Sequence, residues 1–185
     1  SLPPNTQLVT HDTGKEIVID YNIKNMRVAM ARLQMRWWNW HPDENTDPIA
    51  EARNGNLHHG VQAELELARR FARLDIPVLL AVWTAPDWAI VGERLWGAAP
   101  NGERGNPLNP EKAEQIYASI ADYIEFLKTD YGVEVEYFSF NESDLGINVR
   151  QTGAEHAEFI KGLGAHLASR GLRTKLLLGD TADAN

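Results

Sequence analysis

Apolar residues recur at helical spacing in several segments of the chain. In the longest of these, Asn109-Pro110 supplies a cap and a first-turn proline, and Gly132 follows the last apolar position. Another starts at the capping box Thr152 to Glu155 and stops at Gly171. The pattern predicts helices over 109–132, 152–171, about 61–74 and, less regularly, 15–24.

Short runs of strand-forming residues lie between these helices, at 28–35, 77–83, 133–140 and 175–178. Strands that alternate with amphipathic helices predict an α/β fold with βαβ units and a parallel sheet. The helix-to-strand connections are very short, whereas the strand-to-helix connections cover 36–60, 84–108 and 143–151. Long connections in a compact domain are usually functional. Sites in parallel α/β folds lie at the carboxyl ends of the strands, so we expect this edge to carry the site.

Aromatic residues concentrate at the same predicted edge. All six tryptophans fall at strand ends or in the two longest loops, at positions 37, 38, 40, 83, 88 and 96. Flat rings beside carboxylates and amides suit the C–H faces and hydroxyl groups of sugars. The alternative is that long loops need large apolar side chains to pack them down. Packing is the better account of any single tryptophan, whereas their common location favours a ligand site.

Composition narrows the functions. The formal net charge is −8 and no basic cluster stands out, which disfavours nucleic acid or an anionic membrane as partner. The chain has no cysteine, so it forms neither disulfides nor thiolate metal sites. We find no membrane-spanning segment and no signal peptide. No compartment is assigned, although a secreted or periplasmic location is favoured. The 185 residues suit one domain, in which 1–26 is poorly assigned.

The candidate chemistry centres on Asn141 and Glu142, which end the strand-forming run YFSFNE. Glu142 can act as a general acid if apolar neighbours raise its pKa, and Asn141 can hydrogen-bond a substrate hydroxyl. The histidines have no metal-binding spacing, so no metal or cofactor is predicted. We interpret 41–44 as a polar loop turn, and His156 and His166 as partly exposed helix positions.

Arg32 lies within the first predicted strand. A charge there needs a carboxylate partner or a solvated cavity, and Arg32 points into the site if both faces of the strand are buried. A solvent-facing edge position fits the pattern equally well.

The segments WTAPDW at 83–88 and FSFNESD at 138–144 resemble glycoside hydrolases of clan A, and most closely their family 30 branch of glucosylceramidases and xylanases. The resemblance covers roughly 28–180 and implies strands two to five of a (β/α)8 TIM barrel. On this resemblance we expect part of a retaining O-glycosyl hydrolase that acts on a β-linked glycan. The resemblance implies Glu142 as general acid/base, Asn141 and Trp83 as sugar-binding residues, and Arg32 as the arginine that keeps the nucleophile ionised, with Arg36 as a competing register. We add Trp38 and Trp88 as substrate-binding candidates. A bulge at the strand end would let Asn141 and Glu142 both face the site.

The departures from this family leave alternatives open. Retention needs a second carboxylate about 5–5.5 Å from the first, and in the family it ends a later strand, beyond this chain. Asp180 and Glu44 are poor substitutes for this nucleophile.

A complete barrel takes roughly 250 residues, so about half of one is present. One rival function is that of a non-catalytic carbohydrate-binding or scaffold protein. Another is that of an aldolase or isomerase, which would require a lysine at a strand end or a metal site. A half-barrel could also pair with its own copy through open sheet edges.

Overall fold

A computed structural model describes residues 13–140 and 148–178. Its helices are α1 (Thr13–Met26), α2 (Trp37–Trp40), α3 (Pro48–Arg53), α4 (His59–Ala72), α5 (Ala113–Tyr131) and α6 (Gly153–Ser169). Its strands are β1 (Ala31–Gln34), β2 (Val78–Val82), β3 (Asn106–Pro107), β4 (Val135–Phe140), β5 (Val149–Arg150) and β6 (Lys175–Leu177). The predicted helices and strands are all present, and the predicted α/β alternation is confirmed.

The central sheet has the strand order β1-β2-β4-β6, and every neighbouring pair is parallel. Leu33 pairs with Leu80, Leu80 with Phe138, and Phe138 with Leu176. The register shifts once, because Val78 pairs with Val135 while Leu79 pairs with Tyr137, which leaves Glu136 as an extra residue in β4. This bulge lies at the start of β4, whereas the bulge that the sequence predicts falls at Asn141 and Glu142, outside the described residues.

One face of the sheet carries the core. Leu33, Leu80 and Phe138 are buried in the main apolar cluster together with residues of α4, α5 and α6. Leu79 and Ala81 are buried as well but belong to the opposite face, outside that cluster. The two faces of β2 therefore pack against different surroundings. This is the pattern of a barrel wall, with helices outside and a second layer of side chains inside.

The helix ends follow the predicted signals. The Asn109 side chain accepts a hydrogen bond from the Glu111 N–H over 3.1 Å, and a short 3₁₀ turn precedes α5. Gly132 ends α5 with φ 69°, in the left-handed region that favours glycine. The Thr152 capping box forms in both directions with Glu155. His156 and His166 lie partly exposed on α6, as predicted.

The long loops contain more structure than the sequence indicates. The first holds α2 and α3, so Trp37, Trp38 and Trp40 lie on a helix, contrary to the prediction that they lie in a loop. The second holds β3 and the third holds β5, and these two short strands pair in parallel. The helix α2 has only 4 residues and β3 only 2, too few for a periodic pattern to reveal.

The segment 41–44 forms bends and the start of a turn, as predicted, but His41 is buried and joins this loop to α5. Its Nε2 lies 3.1 Å from the Thr46 carbonyl oxygen, which can only accept, so Nε2 carries the proton. Nδ1 then accepts from the Ser119 hydroxyl over 2.8 Å, and Ser119 Oγ accepts from Trp37 Nε1 over 2.8 Å. Burial lowers the pKa of His41, which keeps the ring neutral in this chain of bonds.

We expect Ser119→Ala to lower the free energy of unfolding by about 1–3 kcal/mol, because it leaves the buried Trp37 Nε1–H and His41 Nδ1 without their partner. Urea unfolding followed by tryptophan fluorescence measures the change. The control is Thr129→Ala on the exposed side of the same helix, for which we expect at most about 0.5 kcal/mol. Equal losses in the two variants would contradict the role of Ser119.

Candidate active site

The carboxyl ends of β2 and β4 lie side by side. Val82 pairs with Phe140, and the residues that follow them in the chain are Trp83 and Asn141. Asn141 and Glu142, the predicted amide and acid/base, lie outside the described residues, as does Asp180. The structure does describe a wall that consists of β1, β2 and the loops that follow these strands.

Arg32 and Trp83 meet on the inner face of this wall. Arg32 pairs in register with Leu79 and is therefore on the face opposite the helices. Its guanidinium carbon lies 5.1 Å from the centroid of the Trp83 ring, and Trp83 is half-buried. A guanidinium above an indole face is a favourable cation–π arrangement. The two sequence predictions thus converge on one place, although β1 is an edge strand of the described sheet and Arg32 is exposed.

Arg36, the alternative to Arg32 as the arginine of the site, has different surroundings. Its guanidinium packs on Gly60 at the start of α4, where a Cβ would lie 3.1 Å from Nε. The carboxylate of Glu64 is 3% exposed, and burial raises its pKa to about 7, although the Arg36 charge and a hydrogen bond from the Gln34 backbone oppose the shift. Among the described residues, Arg36 Nε and Glu64 Oε2 have no hydrogen-bond partner. Arg36 belongs to the contact between β1 and α4.

Trp88 and Trp38 occupy different positions. Trp88 donates from Nε1 to the His41 carbonyl over 2.8 Å and packs edge-on against Trp37 with 6.0 Å between ring centroids. Packing therefore accounts for much of Trp88. Trp38 is half-buried, bonds to the neighbouring Asn39 side chain, and packs edge-on against Trp96 at 5.8 Å.

Trp38 and Trp96 line an open cleft of about 320 Å³ between the first two long loops. Trp96 is the most exposed of the described tryptophans, at 70%. The Arg94 guanidinium lies 5.1 Å from the Trp96 ring centroid and donates to Asp87 over 2.7 Å and to the Ala85 carbonyl over 2.5 Å. The cleft therefore combines indole faces with a fixed guanidinium–carboxylate pair.

Two asparagines that the sequence analysis missed hold these loops together. The Asn106 side chain is buried, accepts from the Leu95 N–H over 2.8 Å, and donates to the carbonyls of Val91 and Glu93. Asn148 donates to the Thr84 hydroxyl over 2.9 Å, next to Trp83. Its positive φ of 68° is a backbone state that asparagine tolerates better than most residues. A polar residue in a loop carries no periodic signal, so the sequence could not single these two out.

The remaining candidates are also accounted for. Glu44, a possible substitute nucleophile, forms an ion pair with Lys112 at the start of α5. Within 13–140 and 148–178, no group of three or more His, Asp or Glu residues gathers as a metal site. No helix in these ranges is long and apolar enough to cross a membrane.

Solved structures share this fold. The family 30 subfamily 8 xylanase from Clostridium acetobutylicum has a TM-score of 0.65 at 19% identity, over 90% of this chain and 39% of its own. The catalytic domain of the GH30 xylanase C from Talaromyces cellulolyticus has a TM-score of 0.68 at 16% identity, over 97% and 44%. An endo-β-1,6-glucanase has a TM-score of 0.54 at 20% identity, over 67% and 29%.

The chain has the fold of part of a GH30-like TIM barrel. It spans less than half of each of these structures, which confirms a partial barrel. At these identities the likeness establishes the fold alone. No protein-family model and no curated protein matches the sequence.

The buried Glu64 predicts a pH dependence. Its pKa is about 7 in the folded chain and 4.5 ordinarily, so the folded state binds the proton more tightly. The protonated Glu64 therefore contributes stability that is fully present below pH 4.5. The free energy of unfolding falls as the pH rises through 7, by on the order of 3 kcal/mol.

Glu64→Gln should remove this slope when the free energies of unfolding of parent and variant are compared from pH 4 to 8. The control for charge on α4 is Glu66→Gln. A constant difference between parent and Glu64→Gln would contradict the prediction.

Proposed function

We propose that the chain is part of a retaining O-glycosyl hydrolase that acts on a β-linked glycan. The observation that carries the proposal is the meeting of Arg32 and Trp83 on the inner face of the wall, at the strand edge from which the chain runs on into Asn141 and Glu142. The similar structures are xylanases and a β-1,6-glucanase, which supports a β-glycan as the substrate class.

The proposed roles follow from the chemistry of each group. Glu142 protonates the departing glycosidic oxygen and later deprotonates the water that releases the sugar. Asn141 and Trp83 hold the sugar by a hydroxyl hydrogen bond and a ring contact, with Trp88 and Trp38 further along the glycan. Arg32 favours the ionised form of the nucleophile. We place that nucleophile, a second carboxylate about 5–5.5 Å from Glu142, outside these 185 residues.

A non-catalytic carbohydrate-binding protein is the second candidate function. The Trp38–Trp96 cleft supports it, because the cleft could hold a sugar without any catalytic carboxylate. Pairing of two copies also stays a prediction: β1 and β6 lie at the two edges of the described sheet, and Leu178 after β6 is 67% exposed. Turnover separates the enzyme from the binding protein, and gel filtration addresses the pairing.

Glu142→Gln in the full encoded protein should lower hydrolysis of an unactivated β-glycan by roughly 10²–10⁴-fold, because the leaving oxygen loses its proton donor. A dinitrophenyl glycoside should be cleaved to the glycosyl-enzyme with a much smaller loss, since its leaving group needs no proton. Reducing-sugar release and the dinitrophenolate burst measure the two rates.

The matched control for this test is Glu136→Gln. Glu136 is a carboxylate of β4 that pairs with Lys175 over 2.6 Å at the surface, and its removal should leave both rates unchanged. Unchanged hydrolysis of the unactivated glycan by Glu142→Gln would reject the assignment. If the parent protein binds glycans but cleaves none, the second candidate function is correct.

A paired substitution tests which arginine serves the site. Arg32→Gln should move the acidic limb of the kcat/KM profile up by about 1–3 pH units, because the nucleophile loses the cation that keeps it ionised. Arg36→Gln should instead lower the free energy of unfolding at pH 8 by about 1 kcal/mol, because the buried Glu64 carboxyl loses its cation and its pKa rises further. A pH-profile shift in Arg36→Gln with none in Arg32→Gln would reverse the assignment.

A further inference from the structure

The cleft between Trp38 and Trp96 has features that are explained neither by packing of the loops nor by the proposed catalytic residues. Trp96 is 70% exposed, which is far more than a residue that packs a loop down requires. Its ring is nevertheless held in place, edge-on to Trp38 at 5.8 Å and beside the Arg94 guanidinium at 5.1 Å. An exposed indole with a fixed orientation is a platform on which a flat apolar surface can stack.

Polar groups surround this platform. Asp87 and Arg94 line the same cleft, and their side chains are joined by bonds of 2.7 and 2.6 Å. Asp87 is 81% exposed in its side chain, so its carboxylate can still accept hydrogen bonds. The Arg94 side chain is 11% exposed, and Nη1 has no hydrogen-bond partner among the described residues. An unpaired buried N–H group costs free energy until an acceptor oxygen reaches it.

The charges of the cleft limit its ligand. Asp87 and Arg94 neutralise each other, and Pro42, Pro86 and Asn39, the other residues that line the cleft, are uncharged. The chain as a whole has a formal net charge of −8, which repels anions. A ligand with a weakly polar face and several hydroxyl groups fits these surroundings, whereas an acidic one does not.

We propose that this cleft binds a neutral sugar residue of a β-linked glycan, stacked on Trp96, as a subsite separate from the sugar contact at Trp83. The inference rests on the proposed function and extends it to an extended glycan, several sugars long. Trp96 lines the cleft, whereas Trp83, which directly follows β2, is not among the residues that line it. A glycan that fills the cleft and also contacts Trp83 therefore occupies two separate sites, so we expect affinity to rise with the length of the glycan.

The test compares oligosaccharides of two lengths with the full encoded protein, made inactive by Glu142→Gln if it is hydrolytic. Isothermal titration uses xylobiose and xylohexaose, with cellohexaose and a β-1,6-linked glucohexaose as further hexasaccharides. Trp96→Ala should weaken hexasaccharide binding by roughly three- to tenfold, which corresponds to one lost ring contact. It should leave disaccharide binding unchanged, and Trp96→Tyr should retain most of the hexasaccharide affinity.

Tyr21→Ala provides the matched control, because Tyr21 is a 67% exposed aromatic on α1 and takes no part in the cleft. It should change neither affinity. The inference is overturned if Trp96→Ala has no effect on hexasaccharides, if it weakens the disaccharide equally, or if no hexasaccharide binds the parent protein. Tighter binding of a hexasaccharide that carries a uronic acid would overturn the preference for a neutral sugar.

These results are independent of the proposed catalysis. Loss of hexasaccharide affinity in Trp96→Ala, in a protein that hydrolyses no glycan, would support the subsite and reject the hydrolase. Normal turnover with no effect of Trp96→Ala on binding would support the hydrolase and reject the subsite.

Discussion

The parallel pairing of β1, β2, β4 and β6 is the constraint on which the rest of the structure depends. Parallel strands must be joined by crossovers, and in this chain the crossovers are α4, α5 and α6, which cover one face of the sheet with apolar side chains. Each crossover returns to the sheet through a short connection, so the spare length of the chain collects at the carboxyl edge. The Arg32–Trp83 contact and the Trp38–Trp96 cleft both belong to the wall at that edge, because the topology leaves the protein no other place for long loops.

The hydrophobic periodicity of the sequence predicts the helices and the parallel sheet. The helix α5 follows from apolar spacing between a cap at Asn109 and a left-handed Gly132, and the sheet follows from short apolar runs between such helices. For the loops, the sequence predicts their positions but not their internal structure or contacts. His41, Ser119, Asn106 and Asn148 make their contacts with residues far away in the chain, and no local pattern records which partner a polar side chain will meet. The sequence therefore predicts where the long loops lie better than which contacts hold them.

The two arginines near β1 show how position decides the role of a charged residue. Arg32 is on the inner face, beside the Trp83 ring, where its charge can act on whatever enters the site. Arg36 comes four positions later, after the strand has ended, and its guanidinium lies against Gly60 and near Glu64. The sequence shows two similar arginines. Only the end of β1 at Gln34 separates a residue on the inner face, beside Trp83, from one that lies at the contact with α4.

The tryptophans also fall into two groups, one buried and one exposed, and this difference affects how a ligand would bind. Trp37 and Trp40 are buried, and their N–H groups donate to Ser119 of α5. Their rings fix α2, the helix that also carries Trp38 and so one side of the cleft. Ordering a loop at the moment of binding costs conformational entropy, whereas a loop already held by buried hydrogen bonds does not incur that cost. Packing and ligand binding are thus not alternatives for this aromatic cluster, because the packed tryptophans hold the exposed ones in place.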